Sequence, residues 1–133
     1  MSGFSVYTDG GARGNPGPAA IGVVVKDERG KTIHQFGRTI GETTNNVAEY
    51  LAVIAALEWL KAQPQRLAAK FYSDSSLVVH QLKGEWKIKE DHLRQLVEQV
   101  HHLEKNRMVT YTAIPREQNT AADAQVNQAL DKC

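Results

Sequence analysis

The first forty residues contain three segments that predict β-strands, and hydrophobic and polar side chains alternate in the first and the third of them. These segments cover residues 4–9, 19–27 and 31–40. The stretch GGARGNPGP (10–18) between the first two predicts a loop, because glycine and proline interrupt regular structure. The tetrapeptide DERG predicts a turn before the third strand. Three consecutive strands with short connections predict an antiparallel meander.

Helical patterns follow the meander. Residues 46–61 are apolar on nearly every side, which predicts a buried helix, and Pro64 marks its end. The later predicted elements are a strand at 67–74, a short helix at 75–83, an amphipathic helix at 90–105, a strand at 108–114 and a helix at 120–131. The apolar stripe of the amphipathic helix consists of Leu93, Leu96, Val97, Val100 and Leu103. This order of elements predicts an α/β fold with helices packed on a mixed sheet.

Composition narrows the possible functions. The chain has 133 residues, of which 41% are hydrophobic, so we expect one domain spanning 1–133 with a substantial core. Because the formal net charge is only +1, binding of nucleic acid would depend on local groups and not on bulk charge. The single cysteine, Cys133, excludes an intrachain disulfide and a cysteine-based zinc site. We see no signal peptide or membrane-spanning run, and expect a cytoplasmic protein and a monomer.

Four acidic residues stand out, although each has a local explanation. Asp9 precedes a glycine pair and suits a turn. Asp74 lies between a strand and a helix and suits an N-cap. Glu49 and Asp123 each follow a possible capping residue by three positions, which is the spacing of a capping box.

As a set, the four acids favour a metal site. Asp9 ends an apolar strand, and Glu49 is one of two acids in an otherwise apolar helix. Asp123 shares a helical stripe with Val126 and Leu130 and therefore points toward the protein body. Burying carboxylates is costly unless a cation compensates them. Mg²⁺ prefers oxygen ligands, and two such ions can stabilise both the attacking and the leaving oxygen of an in-line displacement.

Four motifs connect these acids to a known family. YTDGGARGNPGPAAIGVVV, TTNNVAEY, YSDSSLVV and PREQNTAAD occur in this order, and the chain resembles type 1 ribonuclease H over essentially its whole length. The resemblance implies the ribonuclease H-like fold, a five-stranded mixed sheet with three antiparallel and then two parallel strands, flanked by helices. It also implies an endonuclease that hydrolyses the RNA strand of RNA/DNA hybrids with two Mg²⁺ or Mn²⁺ ions and leaves 5′-phosphate and 3′-hydroxyl ends.

The resemblance also implies roles for individual residues. The four carboxylates match the family's catalytic metal ligands, and Asp9 is expected to bridge both ions. Reading the substrate by shape and 2′-hydroxyl groups is expected of such an enzyme. The expected contacts with the RNA strand come from Asn15, Asn45, the backbone of Gly10, and Glu49, which also touches a 2′-hydroxyl; Thr44 and Asn46 lie where the family binds the DNA strand or its phosphate. The simpler alternatives are a turn role for Asn15 and a helix-cap role for Asn46.

Two segments depart from better-known members of the family. A long basic helical insertion is replaced by GEWKIKE (84–90), in which Trp86, Lys87 and Lys89 suit a small substrate handle, with one aromatic group and two phosphate partners. A solvated loop with Trp86 tucked onto the core is the alternative. The loop PREQNT lacks the histidine that many members carry there, and Arg116 occupies this region.

These departures resemble the archaeal-like subgroup. Some of its members also cut double-stranded RNA, so the resemblance leaves that substrate open. An arginine stays protonated and cannot act as a general base, so Arg116 suits the scissile phosphate or the departing product. The five histidines have no motif context and are interpreted as surface or core residues. The competing functions are a non-catalytic hybrid-binding module, a DNA-cutting nuclease on the same fold, and a structural adaptor.

Overall fold

The computed structural model describes residues 3–132, so Cys133 lies outside the described residues. Its elements, in chain order, are β1 (Gly3–Ala12), β2 (Gly17–Lys26), β3 (Thr32–Thr43), α1 (Asn45–Leu60), β4 (Ala68–Ser73), α2 (Ser76–Leu82), α3 (Asp91–Leu103), β5 (Val109–Ala113) and α4 (Thr120–Asp131). A short 3₁₀ turn, Arg116–Gln118, precedes α4. None of the helices in this part of the chain is long and apolar enough to cross a membrane.

The five strands form one mixed sheet in the order β3-β2-β1-β4-β5. The first three strands are antiparallel neighbours, and β4 and β5 extend the sheet beside β1 in parallel. The predicted α/β fold, with three antiparallel strands followed by two parallel ones, is therefore confirmed. The parallel pairing of β1 and β4 matters for function, because it brings the carboxyl ends of these two strands to the same edge of the sheet.

One face of the sheet carries α1 and α3. The apolar positions of α1 point in all directions and are buried, as the sequence predicts for a helix with no polar stripe. From α3, Leu93, Val97 and Val100 join the same core, while Leu96 and Leu103 are partly buried at its border. Buried side chains of this kind each contribute roughly 1.5–3 kcal/mol to folding. The core fixes α1 firmly against the middle of β1.

The opposite face carries α4. Val126 and Leu130 of this helix pack on Ala20 of β2. The helix lies very close to the sheet, because a Cβ atom added to Gly22 would meet the backbone oxygen of Ala122 at 2.2 Å. Only glycine permits this approach, and the approach places the first turns of α4 beside β1.

The predicted loop at 10–18 is wrong in extent. β1 continues to Ala12 and β2 begins at Gly17, so the connection covers only residues 13–16. Two of the glycines that suggested a loop are ladder positions, where Gly10 pairs with Ile21 and Gly11 with Ala20. Gly10 is a glycine because α1 packs closely over this end of the sheet. The third strand likewise runs three residues further than predicted, to Thr43.

Candidate active site

Asp9, within β1, and Asp74, directly after β4, lie side by side on neighbouring strands. The parallel ladder pairs Tyr7 with Tyr72, two residues before each acid. Asp9 is part of β1 and pairs with Gly22 on the other side, and Asp74 follows directly after β4. Asp9 is only 7% exposed. The sheet therefore brings together two carboxylates that are 65 positions apart in the sequence, from residue 9 to residue 74.

The third carboxylate reaches the same place from α1. The backbone N–H of Gly10 donates a hydrogen bond to Oε1 of Glu49, with a distance of 3.0 Å. A Cβ atom on Gly10 would meet the backbone carbonyl carbon of Ala48 at 2.2 Å, so glycine is required for this approach. Carboxylate oxygens of Asp9, Glu49 and Asp74 all lie within 4.8 Å of one another. Asp123, in the first turn of α4, lines the same pocket of about 340 Å³.

The local explanations for these acids do not describe the structure. Thr44 caps α1 by accepting from the Val47 N–H, and Ser75 caps α2 by accepting from the Val78 N–H. No turn follows Asp9, because β1 continues. Asp123 is the fourth residue of α4, whose N-cap is Asn119. Helix capping and turn formation therefore leave the positions of the four acids unexplained.

The electrostatics of the pocket are unfavourable to ionised carboxylates. Burial, followed by the charges of Asp74 and Asp123, raises the pKa of Asp9 to about 8. Burial and the charges of Asp9 and Asp74 raise the pKa of Glu49 well above its ordinary value, against the effect of the Gly10 hydrogen bond. Burial also raises the pKa of Asp74. A cation placed among these groups would restore their ionised forms.

Arg116 is an exposed residue of the 3₁₀ turn that borders the pocket. Its positive charge opposes the rise of the pKa of Asp74 and, to a smaller extent, that of Glu49. The structure therefore brings this predicted residue to the carboxylates. Because its side chain is exposed, it is also accessible to a bound phosphate.

The residues predicted to read the RNA strand form a connected set. The side-chain oxygen of Asn15 accepts from the backbone N–H of Asn45, at 3.0 Å. In turn, the side-chain oxygen of Asn45 accepts from the N–H of Ala12, at 2.8 Å. Thr44 is the N-cap of α1, and Asn46 is exposed in its first turn. The two asparagines thus hold the β1–β2 connection against the start of α1.

The connector GEWKIKE is an exposed loop, as the alternative interpretation expected, but the position of Trp86 differs from that interpretation. Trp86 is 47% exposed, and its ring stacks on the ring of His80, with centroids 4.4 Å apart. The Nδ1 atom of His80 also lies 2.6 Å from a carboxylate oxygen of Glu85. Lys87 and Lys89 are exposed on the same connector. Trp86 is therefore not tucked onto the core, but supported on α2 with one side open.

Three residues of the site were missed by the sequence reasoning. Asn119 is 1% exposed, and its amide donates to the backbone oxygen of Thr8 at 2.9 Å, which ties the start of α4 to β1 beside Asp9. Asn127 donates to a carboxylate oxygen of Asp123 at 3.3 Å. Arg13 contacts the side-chain oxygens of Asn127 and Asp131. For Asn119 and Asn127, the available signal in the sequence was their spacing, four residues before and four residues after Asp123.

The chain is similar in sequence to several known proteins. A family model described as reverse transcriptase-like matches residues 7–129. The bifunctional protein Rv2228c of Mycobacterium tuberculosis is 41% identical over 128 residues, which are 95% of this chain and 35% of that protein. Ribonuclease HI of Halobacterium salinarum is 41% identical over 138 residues, which cover 94% of this chain and 63% of that protein. The chain thus spans about a third of the mycobacterial relative.

A solved structure is similar over nearly the whole chain. The crystal structure of LC11-RNase H1, a protein isolated from compost by a metagenomic approach, was determined in complex with an RNA/DNA hybrid. It is 46% identical, has a TM-score of 0.93, and the match covers 97% of this chain and 97% of that one.

Proposed function

Because the chain belongs to the type 1 ribonuclease H family, we propose that it is an endonuclease that hydrolyses the RNA strand of RNA/DNA hybrids. The observation that carries this proposal is the pocket in which Asp9, Glu49 and Asp74 approach within 4.8 Å, with Asp123 on its wall. Folding gains nothing from gathering like charges, since buried charges without a partner are costly. The arrangement is therefore retained for a ligand or a reaction.

The four carboxylates are proposed to hold two Mg²⁺ ions, for which Mn²⁺ substitutes. The donor set fits, because all four groups are oxygen ligands and the pKa values of Asp9, Glu49 and Asp74 are raised by burial and mutual repulsion. When bound, such ions supply an activated water and stabilise the charge on the leaving 3′-oxygen, which gives 5′-phosphate and 3′-hydroxyl ends. The contribution of the chain is rigid placement of the ligands, as the Gly10 hydrogen bond does for Glu49.

The RNA strand is proposed to lie along the connection between β1 and β2 and the start of α1. Asn15 and Asn45 use their side-chain oxygens within the protein and are both exposed, so their amide N–H groups are proposed as donors for 2′-hydroxyls. Gly10 has no side chain, so its backbone is proposed to contact the RNA strand directly. Glu49 is proposed to touch a 2′-hydroxyl as well. A loop ordered by its own hydrogen bonds presents such donors with little further loss of entropy.

The DNA strand or its phosphate is proposed to contact Thr44 and Asn46. The hydroxyl of Thr44 accepts from the Val47 N–H, so its own proton is available for a phosphate oxygen. Trp86 adds a surface on which a sugar or base stacks, and the exposed Lys87 and Lys89 are proposed to contact phosphate groups of the substrate. This set is local, as the net charge of +1 requires.

Arg116 is proposed to bind the scissile phosphate or the departing product. It lies on the wall of the carboxylate pocket and is exposed to an incoming strand. A planar guanidinium suits bidentate contact with phosphate and does not accept a proton. Its function would therefore be electrostatic and positional, in place of the histidine found in many relatives.

A panel of labelled substrates tests this proposal. We expect the protein to cut the RNA strand of an RNA/DNA hybrid with Mg²⁺ or Mn²⁺ and to lose this activity in EDTA. Double-stranded RNA in the same panel shows how broad the substrate range is. Binding of the hybrid without cleavage would support the non-catalytic module instead, and cleavage of double-stranded DNA would support a different nuclease on this fold.

A further inference from the structure

The connector of residues 84–90 is held by hydrogen bonds along most of its backbone. The N–H groups of Glu85 and Trp86 both donate to the backbone oxygen of His80, at 2.9 and 3.2 Å. At the other end, the guanidinium of Arg94 donates to the backbone oxygens of Ile88 and Lys89, at 2.9 and 3.4 Å. These bonds fix both ends of the connector on the helices that flank it.

The middle of the connector is held from inside the protein by Gln81. This side chain is only 6% exposed, and its Nε2 donates to the backbone oxygen of Lys87 at 3.4 Å. Its Oε1 accepts from the hydroxyl of Tyr50, which is fully buried. Buried polar groups are rarely left unpaired, and here each one satisfies the other. The Tyr50 hydroxyl thereby sets the direction in which the Gln81 amide points.

This small network joins the connector to the two helices next to the carboxylates. Tyr50 follows Glu49 on α1. Gln81 belongs to α2, the helix that begins two residues after Asp74. A shift of either helix would therefore move the backbone of Lys87. Glutamine and tyrosine are an unusual choice for buried positions that apolar side chains of similar size would fill, which indicates a role beyond packing.

We propose that Gln81, oriented by Tyr50, is a positioning residue that sets the substrate handle of Trp86 and Lys87 relative to the carboxylate pocket. This inference rests on the proposed function of the connector in binding the hybrid. A handle that is ordered before binding avoids the entropic cost of immobilising its side chains. Gln81 thus acts on the affinity for the hybrid and leaves the chemical step unaffected.

Two variants test this role. Gln81→Met removes both hydrogen bonds with little change of volume, and Tyr50→Phe removes only the group that orients Gln81. For each, we expect KM for the hybrid to rise by about three- to tenfold while kcat stays within about twofold. Gln99→Met, at an exposed position of α3, is the matched control and should change neither constant.

A readout without catalysis separates positioning from a general loss of stability. In a Trp59→Phe background, Trp86 is the remaining tryptophan. Its fluorescence anisotropy should show increased local motion after Tyr50→Phe or Gln81→Met, at temperatures where circular dichroism shows the protein still folded. A combined Trp86→Ala/Lys87→Ala variant should raise KM, and adding Gln81→Met to it should then have almost no further effect.

The contrary outcomes are distinct. If both network variants leave KM and the motion of Trp86 unchanged, the positioning role is wrong while the proposed nuclease stands. If Trp86→Ala/Lys87→Ala leaves KM unchanged, the handle itself is wrong. If the unaltered protein does not cut the hybrid, the proposed function fails. Should Gln81→Met not fold, Tyr50→Phe alone decides the positioning role.

Discussion

Two regions of the molecule hold charge that is partly withdrawn from water, and this charge is compensated in opposite ways. In the carboxylate pocket, Asp9, Glu49 and Asp74 face one another, and the neighbouring charges raise the pKa of Asp9 to about 8. At the far end of α1, the guanidinium of Arg107 is also partly withdrawn from water, and this burial lowers its pKa. The guanidinium has several hydrogen-bond partners in its surroundings, whereas the three carboxylates mainly oppose one another.

The partners of Arg107 are four backbone carbonyl groups. Its two terminal nitrogens donate to the oxygens of Leu60, Gln63, Pro64 and Leu67 at 2.7, 3.1, 3.0 and 2.6 Å. These carbonyls belong to the end of α1 and the turn after it, where helical hydrogen bonding stops. Arg107 therefore closes the C-terminal end of α1 and fastens the connection between α3 and β5 to it.

The difference distinguishes a structural charge from a functional one. The Arg107 charge is matched by carbonyl dipoles and stabilises the fold with no ligand. The carboxylates oppose one another and the fold bears their cost, so their compensation has to come from outside the chain. Arg116 supplies a partial counter-charge, since it opposes the rise of the pKa of Asp74 and Glu49. Removing each kind of charge should therefore have opposite consequences.

The largest effect should follow from Asp74→Asn. We expect cleavage of the hybrid to fall by about a thousandfold or more, because a metal ligand supports several kcal/mol of transition-state stabilisation. The melting temperature without metal should stay the same or rise, since a repulsive charge is lost. Glu98→Gln, at an exposed position of α3, serves as the control for both measurements. Full activity of Asp74→Asn would remove this residue from the metal site.

For Arg107→Met we expect the opposite, a loss of stability without a loss of activity. It removes four hydrogen bonds to backbone carbonyl groups, of which those of Leu60 and Pro64 keep a backbone N–H donor. The free energy of unfolding should therefore fall by about 2–4 kcal/mol, as measured by urea denaturation. The kcat at a temperature where the variant is folded should be unchanged. Arg66→Met, at an exposed position in the turn after α1, should lower stability by less than about 0.5 kcal/mol. Equal effects of the two variants would contradict the proposed difference between the regions.

Stability of the metal-free protein should depend on pH in an unusual direction. Asp9 has an ordinary pKa of 3.8 and a folded-state pKa of about 8, so between these values the folded state binds more protons than the unfolded state. The free energy of unfolding therefore falls as pH rises through this window. We expect a loss of about 1–3 kcal/mol between pH 5 and pH 8 in EDTA, because each unit of pKa shift corresponds to about 1.4 kcal/mol.

Two additions sharpen this pH measurement. Saturating Mg²⁺ should remove the decline, because a bound cation stabilises the ionised carboxylates. Asp9→Asn should flatten the profile in EDTA, whereas Glu98→Gln, at an exposed position of α3, should leave it as in the unaltered protein. A stability that rises between pH 5 and pH 8 in EDTA would mean that Asp9 is already compensated by groups within the chain.

The two regions also differ in how far the sequence predicts them. The mixed sheet could be predicted from strand alternation and helical periodicity. The four acids could be identified because buried carboxylates are costly unless a cation compensates them. The caps were not resolved, because Thr44 and Ser75 compete with Asn46 and Asp74 for the same local role and only the backbone geometry decides. Nothing local to Arg107 indicates its four carbonyl partners, which lie 40 to 47 positions away.

The length of the first loop shows the same limit. Its glycines are typical of turns, yet Gly10 lies within a strand. It is a glycine because Ala48 of α1 lies directly against it. Gln81 and Tyr50 also gave no signal, since their hydrogen bond joins two helices that sequence patterns place independently. Contacts between elements are thus the part of the structure that local patterns do not contain.

The smallest effect is expected from substituting Arg116, the positive charge on the wall of the carboxylate pocket. Arg116→Ala should lower kcat by about tenfold, because a single charged contact to a phosphate is worth about 1.4 kcal/mol. The same variant should remove the partial counter-charge of the pocket and steepen the decline of stability between pH 5 and pH 8 in EDTA.

A control for Arg116→Ala has to be an arginine outside the site. The structure shows that Arg13 contacts Asn127, which in turn binds Asp123, so it is not a neutral control. Arg29→Ala, at an exposed position of the turn after β2, is a better one. If Arg116→Ala and Arg29→Ala affect kcat equally, Arg116 has no part in the site. If Arg116→Ala lowers kcat but leaves the pH profile in EDTA unchanged, its charge acts on the substrate and not on the carboxylates.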